Sequence, residues 1–137
     1  MNYRLHHTAI SVSNLDRSLR FYETLGYKQV YQYDEADGSM SVAHLKLGDS
    51  FLEVFAYKKN QDKAQVNLEY GNNLEDIGVK HIALWTDDLE ATLADLQSKG
   101  LADDNTKIIM GRTRVSYFFI KDPDGVWVEF VKDDRYT

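Results

Sequence analysis

The chain has 137 residues, of which 43% are hydrophobic and 28% charged, which is enough to bury the core of one domain. Its formal net charge of −6 comes from scattered acidic residues, which argues against nucleic acid or an anionic membrane as the main partner. Cysteine is absent, which excludes disulfides and thiolate chemistry.

The first residues, MNYRLHHTAI, lack the apolar core of a signal peptide, and no later stretch is apolar enough to span a bilayer. We therefore expect a soluble cytoplasmic protein. A short apolar strand begins near His7 and leads to Asn14, a typical helix cap, and the helix that follows ends at Gly26. Three further strands are predicted over roughly 27–34, 39–47 and 48–55.

The same order of elements occurs a second time. The stretch HTAISVSNLDRSLRFYETLG at 7–26 aligns with HIALWTDDLEATLADLQSKG at 81–100, with a constant offset of 74 residues. The later strands of the second copy are predicted over roughly 106–111, 114–121 and 125–132, with KDPDGV at 121–126 as a turn. The sequence therefore predicts one α+β domain of two β-α-β-β-β modules, residues 1–57 and 79–137, joined by a polar linker over 58–78.

The repeat makes His7 equivalent to His81, and Glu53 equivalent to Glu129. Side chains alternate along a strand, so Glu129 shares a face with Trp127 and other apolar residues. A carboxylate in such surroundings is costly unless it is paired or bound to a cation. Two imidazoles and two carboxylates suit one divalent ion, either Zn, Ni, Co, Mn or Fe. The alternative is that both histidines are ordinary hydrogen-bonded residues and both glutamates ordinary surface residues.

Several other residues are weaker candidates. His6 is expected to point away from His7 and not to bind metal, because neighbours on a strand alternate in direction. His44, on a middle strand, is expected to be structural or to line a pocket. Four aromatic residues are either pocket walls or core residues: Tyr57, Phe118, Phe119 and Trp127. Arg112 and Arg114 either bind an anionic group of a substrate or are solvated loop residues.

The motifs together resemble a known family. LHHTAISVSNLDRSLRFYETLGY, FLEVF, GVKHIALWTDDLEATLADLQSKG and FIKDPDGVWVEF are similar to the glyoxalase I type of the vicinal oxygen chelate superfamily. The resemblance implies paired modules that form a U-shaped, partly closed mixed sheet around a metal, and a homodimer as the assembly. It also implies that four residues are the metal ligands: His7, Glu53, His81 and Glu129.

The resemblance also implies a reaction. A small carbonyl compound or its thiol adduct would isomerise through a metal-bound enediolate, with Glu129 as the base that moves the proton and Glu53 as the second candidate. The substrate would contact Tyr57, Phe119, Trp127 and Arg114. Two alternatives stay open: an Fe(II)-dependent extradiol-type dioxygenase, in which Glu53 would be a spectator, and a non-catalytic protein that binds small molecules, like the bleomycin-resistance proteins.

Overall fold

A computed structural model of the chain describes residues 4–61, 63, 74–75 and 77–135. The chain divides into two compact units, Met1–Gln65 and Val66–Thr137. The elements of the first unit are β1 (His7–Val12), α1 (Leu15–Thr24), β2 (Lys28–Asp34), β3 (Met40–Leu47) and β4 (Ser50–Tyr57), followed by a 3-10 turn at Lys58–Asn60. Those of the second are β5 (Ile82–Trp85), α2 (Leu89–Ser98), β6 (Ile109–Met110), β7 (Ser116–Lys121) and β8 (Trp127–Lys132).

The observed order confirms the α+β class and the β-α-β-β-β pattern used twice. Most of the predicted linker, 58–78, lies outside the described residues, so the module boundaries stay predictions. No described helix combines the length and the apolar character needed to cross a membrane.

Each unit contains an open four-stranded mixed sheet, in the order β1-β4-β3-β2 in the first and β5-β8-β7-β6 in the second. The first strand of each unit pairs in parallel with the last, and the other neighbours are antiparallel. This topology brings the strand that begins near the first histidine next to the strand that carries the glutamate. Residues far apart in sequence therefore become neighbours within each unit.

One face of each sheet packs against its helix and forms the core. In the first unit the buried sheet residues alternate along β3 and β4, and Leu19 and Tyr22 of α1 are buried with them. Alternation then turns Glu53 toward the opposite, more open face. The second unit repeats the arrangement, with Glu129 on the more open face between buried Val128 and Phe130.

Phe118 is a core residue, which is one of the two roles that the sequence left open for it. Only 1% of its surface is exposed, and its ring stacks on Phe130 with the centroids 5.1 Å apart. The physical reason is alternation, because Phe118 and its neighbour Phe119 must point to opposite faces of β7.

The predicted helix caps are confirmed, while one predicted strand is much shorter than expected. The side-chain oxygens of Asn14 and Asp88 each accept a backbone hydrogen bond at 2.9 Å at the start of their helices. The strand predicted over 106–111 is reduced to Ile109–Met110. The chain before it is held in a turn, where Asp103 accepts hydrogen bonds from the backbone of Asn105 and Thr106.

Candidate functional site

The first unit brings His7 and Glu53 together. Parallel pairing of β1 with β4 sets His7 opposite Phe51, two residues before Glu53. Nε2 of His7 lies 3.8 Å from Oε1 of Glu53, which is longer than a hydrogen bond. The two side chains are 42% and 21% exposed, so both remain accessible from solvent.

The second unit brings His81 and Glu129 together in the same way. Parallel pairing of β5 with β8 continues the repeat, and Nε2 of His81 lies 2.9 Å from Oε2 of Glu129. These side chains are 27% and 15% exposed, which makes this pair the more buried of the two. The duplicated sequence makes the two pairs equivalent, and the structure places each histidine beside the glutamate of its own unit.

Glu53 has a second histidine, His44, beside it, and the repeat does not predict this contact. Antiparallel pairing sets His44 of β3 directly opposite Glu53, and its Nε2 lies 2.7 Å from Oε2. In the sequence, this contact is indicated by the two turn residues between β3 and β4, Gly48 and Asp49. A two-residue hairpin turn fixes the register and places the strand residues opposite each other in a known order.

Glu129 has an aromatic neighbour at the equivalent place. Phe119 of β7 lies directly opposite it, and the Phe119 ring contacts the rings of His81 and Trp127 at centroid distances of 5.3 and 5.6 Å. The ammonium group of Lys121 lies 4.6 Å from the centroid of Trp127. The second pair therefore has the Phe119 ring beside it, and Phe119 packs in turn against Trp127, over which the cation lies.

His6 contacts His7, so the expectation that it points away is wrong. Their Nδ1 atoms are 2.9 Å apart, and the His6 ring stacks on Phe51 at 5.4 Å. The reason is that β1 begins at His7, so strand alternation does not govern His6. With Nδ1 of His7 engaged by His6, its Nε2 is the nitrogen that faces Glu53.

The residues predicted to contact substrate occupy different places. Phe119 and Trp127 lie beside the His81–Glu129 pair. Tyr57 lines a separate cavity of about 390 Å³ in the first unit, whose other walls are mostly polar. Arg114 lines a smaller cavity of about 240 Å³ in the second unit and has a φ of 62°, in the left-handed region that a bulky residue rarely adopts.

The donor chemistry of the two pairs fits a divalent metal. Each pair offers one imidazole nitrogen and one carboxylate oxygen on a half-buried face, and these are ligands for Zn and neighbouring divalent ions. Among the described residues, no three or more His, Cys, Asp or Glu side chains form a cluster that could hold an ion. Each unit thus supplies two donors, and the convergence of all four on one ion stays a prediction.

Comparisons with known proteins agree with the fold. The model of the Glyoxalase/Bleomycin resistance protein/Dioxygenase superfamily matches residues 4–130. The chain is 30% identical to a lactoylglutathione lyase of Schizosaccharomyces pombe, over 97% of this chain and 48% of that protein, so it spans about half the length of that relative.

A bacterial relative is matched over most of its length. The lactoylglutathione lyase of Haemophilus influenzae is 29% identical, over 93% of this chain and 90% of that protein. Among solved structures, a glyoxalase family protein from Enterococcus faecalis superposes with a TM-score of 0.74 and 28% identity, covering 93% of this chain and 96% of the other.

Proposed function

Because the chain belongs to the Glyoxalase/Bleomycin resistance protein/Dioxygenase superfamily, we propose that it is a glyoxalase I-like, metal-dependent lyase or isomerase. Its substrate would be a small carbonyl compound or the adduct of that compound with a thiol. The observation that carries the proposal is the repeated pair, in which an imidazole and a carboxylate meet on the same face of each sheet. The relatives that bear the name lactoylglutathione lyase support the same reaction class.

Four residues would hold the ion in this proposal, two from each unit: His7, Glu53, His81 and Glu129. A divalent ion bound there would act as a Lewis acid on the substrate oxygens and make the C–H bond beside the carbonyl more acidic. We expect the protein to be a homodimer, the assembly that the resemblance implies.

Glu129 would move the proton. Its carboxylate would remove a proton from the carbon that bears the hydroxyl group and return it to the neighbouring carbon, so atoms balance without an oxidant. Its side chain is the least exposed of the four, and Phe119, which lies opposite it on β7, packs its ring against His81. A carboxylate in such surroundings can hold a proton briefly without losing it to solvent.

Phe119 and Trp127 would contact the apolar part of the substrate. The Phe119 ring contacts His81 and the Trp127 ring contacts Phe119, so a small alkyl substituent bound against Phe119 would lie beside the base. Tyr57 and Arg114 line other cavities and would serve substrate only through a more extended thiol-adduct portion.

The test begins with elemental analysis of the purified protein. The metal is then removed with a chelator, and the apoprotein is assayed with the methylglyoxal–glutathione adduct after addition of Zn, Ni, Co, Mn or Fe(II). We expect about one ion per four-ligand site, loss of turnover in the apoprotein and recovery with at least one metal. A metal-loaded protein that turns over neither the adduct nor free methylglyoxal would contradict the proposal.

Two further assays separate this proposal from its rivals. Oxygen consumption with a catechol and Fe(II) would indicate ring cleavage by a dioxygenase of the same superfamily. Metal-free protein that binds an aromatic ligand tightly would indicate a binding protein instead.

A further inference from the structure

We propose that His44 is a positioning residue, which holds the carboxylate of Glu53 and makes the two equivalent glutamates unequal. Glu53 would then be the fixed ligand and Glu129 the mobile carboxylate. The inference rests on the proposed role of Glu53 as a metal ligand.

The contacts of Glu53 divide between its two oxygens. Nε2 of His44 lies 2.7 Å from Oε2, a short distance typical of a hydrogen bond to a charged acceptor. Oε1 faces Nε2 of His7 at 3.8 Å, beyond hydrogen-bonding distance. Oε2 of Glu53 is therefore held by a residue of the neighbouring strand β3, and Oε1 is left facing His7.

A bulge in β2 supports His44 from its far side. Gln29 pairs with Leu45 and Tyr31 pairs with His44, so Val30 is an extra residue between the two pairs. Because of this bulge Tyr31 lies opposite His44, and the two ring centroids are 5.8 Å apart. Bulges are common beside functional sites, where they redirect a side chain. A row of three side chains thus crosses the neighbouring strands β2, β3 and β4: Tyr31, His44 and Glu53.

The second unit lacks this row in the part of the chain that the structure describes. Phe119 stands opposite Glu129 and has no group that can donate a hydrogen bond. The neighbouring strand β6 is only two residues long and pairs with Ser116 and Tyr117, so it does not reach the position beside Phe119. The strand next to Glu129 therefore cannot fix its carboxylate.

The difference has a direct consequence for metal binding and proton transfer. A ligand whose second oxygen is already held loses less freedom when it binds an ion, which strengthens binding. Of the residues that the structure describes, only His81 holds Glu129, with its Nε2 2.9 Å from Oε2, and His81 is itself a proposed metal ligand. When that nitrogen binds the ion, the carboxylate of Glu129 loses this contact and can leave and return, as a base must, whereas the contact of Glu53 with His44 persists. The structure thus assigns anchoring to Glu53 and movement to Glu129.

Two variants test the hydrogen bond itself. His44→Phe installs the residue found at the equivalent position of the second unit, and His44→Gln keeps an N–H donor at a similar distance from the backbone. Apoprotein is titrated with Co(II) against a chromophoric chelator, and the visible absorption of the bound ion is recorded. We expect His44→Phe to weaken Co(II) binding about 10- to 100-fold, and His44→Gln to remain within about threefold of the parent.

The controls separate this effect from loss of structure. Thermal unfolding of each variant should stay cooperative, and His44→Leu replaces His44→Phe if the larger ring prevents folding. Parent-like Co(II) affinity in the apolar variant would overturn the inference. So would a His44→Gln variant that folds yet binds as weakly as the apolar one, since the hydrogen bond would then contribute nothing.

Failure of the proposed reaction gives a different result. A parent protein that binds no Co(II) would overturn the metal site and the role of His44 together. A parent that binds Co(II) but does not turn over the adduct would contradict the reaction alone, and the affinities of the variants would still decide the role of His44.

Discussion

In the first unit, the strand beside the glutamate presents a histidine, whereas in the second unit the equivalent strand presents a phenylalanine. His44 lies 2.7 Å from Glu53, while Phe119 lies opposite Glu129 and contacts the rings of His81 and Trp127. The His–Glu pair itself recurs in both units. Duplication has thus kept the donors and changed their surroundings.

Equivalent residues in a repeat need not have equivalent roles. A polar neighbour restrains a carboxylate, and an apolar neighbour shields it from water without restraining it. One copy of a duplicated pair can therefore supply a firm ligand while the other supplies a base.

The largest expected effect is that of Glu129→Gln. The amide oxygen can still bind a metal, but the amide cannot accept the proton, so kcat should fall on the order of 10²–10⁴-fold with metal content retained. Steady-state kinetics with the methylglyoxal–glutathione adduct and elemental analysis of the same sample measure both quantities.

Glu53→Gln is the matched comparison for that variant. Because Glu53 is assigned as the anchoring ligand, its variant should lose more metal than Glu129→Gln does. If Glu129→Gln were active while Glu53→Gln bound metal but had no activity, the roles would be reversed, with Glu53 as the base and Glu129 as the fixed ligand.

A second prediction concerns the two hairpins that set the registers. The first unit turns through Gly48 and Asp49, whereas the second uses residues 122–126 around the buried Asp122. Oδ1 of Asp122 accepts from the backbone of Asp124 at 2.9 Å and of Val126 at 2.8 Å. Asp122→Ala leaves both donors without that acceptor and should lower the free energy of unfolding by about 1–3 kcal/mol.

Two controls sharpen the measurement by urea unfolding. Asp122→Asn keeps an acceptor oxygen and should lose less unfolding free energy than Asp122→Ala. Asp49→Ala, at the exposed turn of the first unit, should change the free energy of unfolding by less than about 0.5 kcal/mol. Equal losses in Asp122→Ala and Asp49→Ala would show that the buried acceptor is not what fixes the second hairpin.

The elements of the fold were predictable because their signals are local. The caps Asn14 and Asp88, and the apolar spacing after each, recur at the same offset, and the structure confirms both helices. The predicted strand over 106–111 failed because the turn at Asp103 removes its first half. That turn has its own local signal, the Asp-Asp-Asn run, which competes with a short apolar stretch.

The site was predictable only as far as the repeat reaches. His7 and Glu53 could be predicted because the repeat aligns them with His81 and Glu129, and this alignment needs no knowledge of strand pairing. His44 has no counterpart and becomes visible only through the register that the hairpin turn fixes. Tyr31 depends in addition on the bulge at Val30, for which the strand sequence KQVYQYD gives no distinct signal.

Phe119→His would give Glu129 the kind of neighbour that Glu53 has in the first unit. Phe119→His places an N–H donor opposite Glu129, as His44 stands opposite Glu53. We expect kcat to fall about tenfold, with Co(II) affinity unchanged or tighter, because a restrained carboxylate is a better ligand and a poorer base. Phe119→Leu is the control, since it removes the ring without adding a donor. Equal kinetics in Phe119→His and the parent would mean that restraint by the adjacent strand does not limit the base.

The smallest expected effect lies in the helices. Ser18 and Thr92 are equivalent in the repeat. Oγ1 of Thr92 donates to the backbone oxygen of Asp88 at 2.6 Å and lies 2.8 Å from Oγ1 of Thr86. Within the described part of the chain, Oγ of the buried Ser18 has no hydrogen-bond partner, and the residue equivalent to Thr86 is Val12. The first unit thus lacks the hydroxyl that the second unit has at Thr86.

Removing the two hydroxyls should therefore have opposite results. Thr92→Val should cost about 1 kcal/mol of unfolding free energy, because it breaks hydrogen bonds and leaves Thr86 without that partner. Ser18→Ala should be neutral or stabilising by up to about 1 kcal/mol, because the hydroxyl is desolvated without a compensating bond. Urea unfolding of both variants measures the difference. A Ser18→Ala loss as large as that of Thr92→Val would mean that the Ser18 hydroxyl is satisfied in solution, by an ordered water for example, and that the helices of the two units do not differ in this respect.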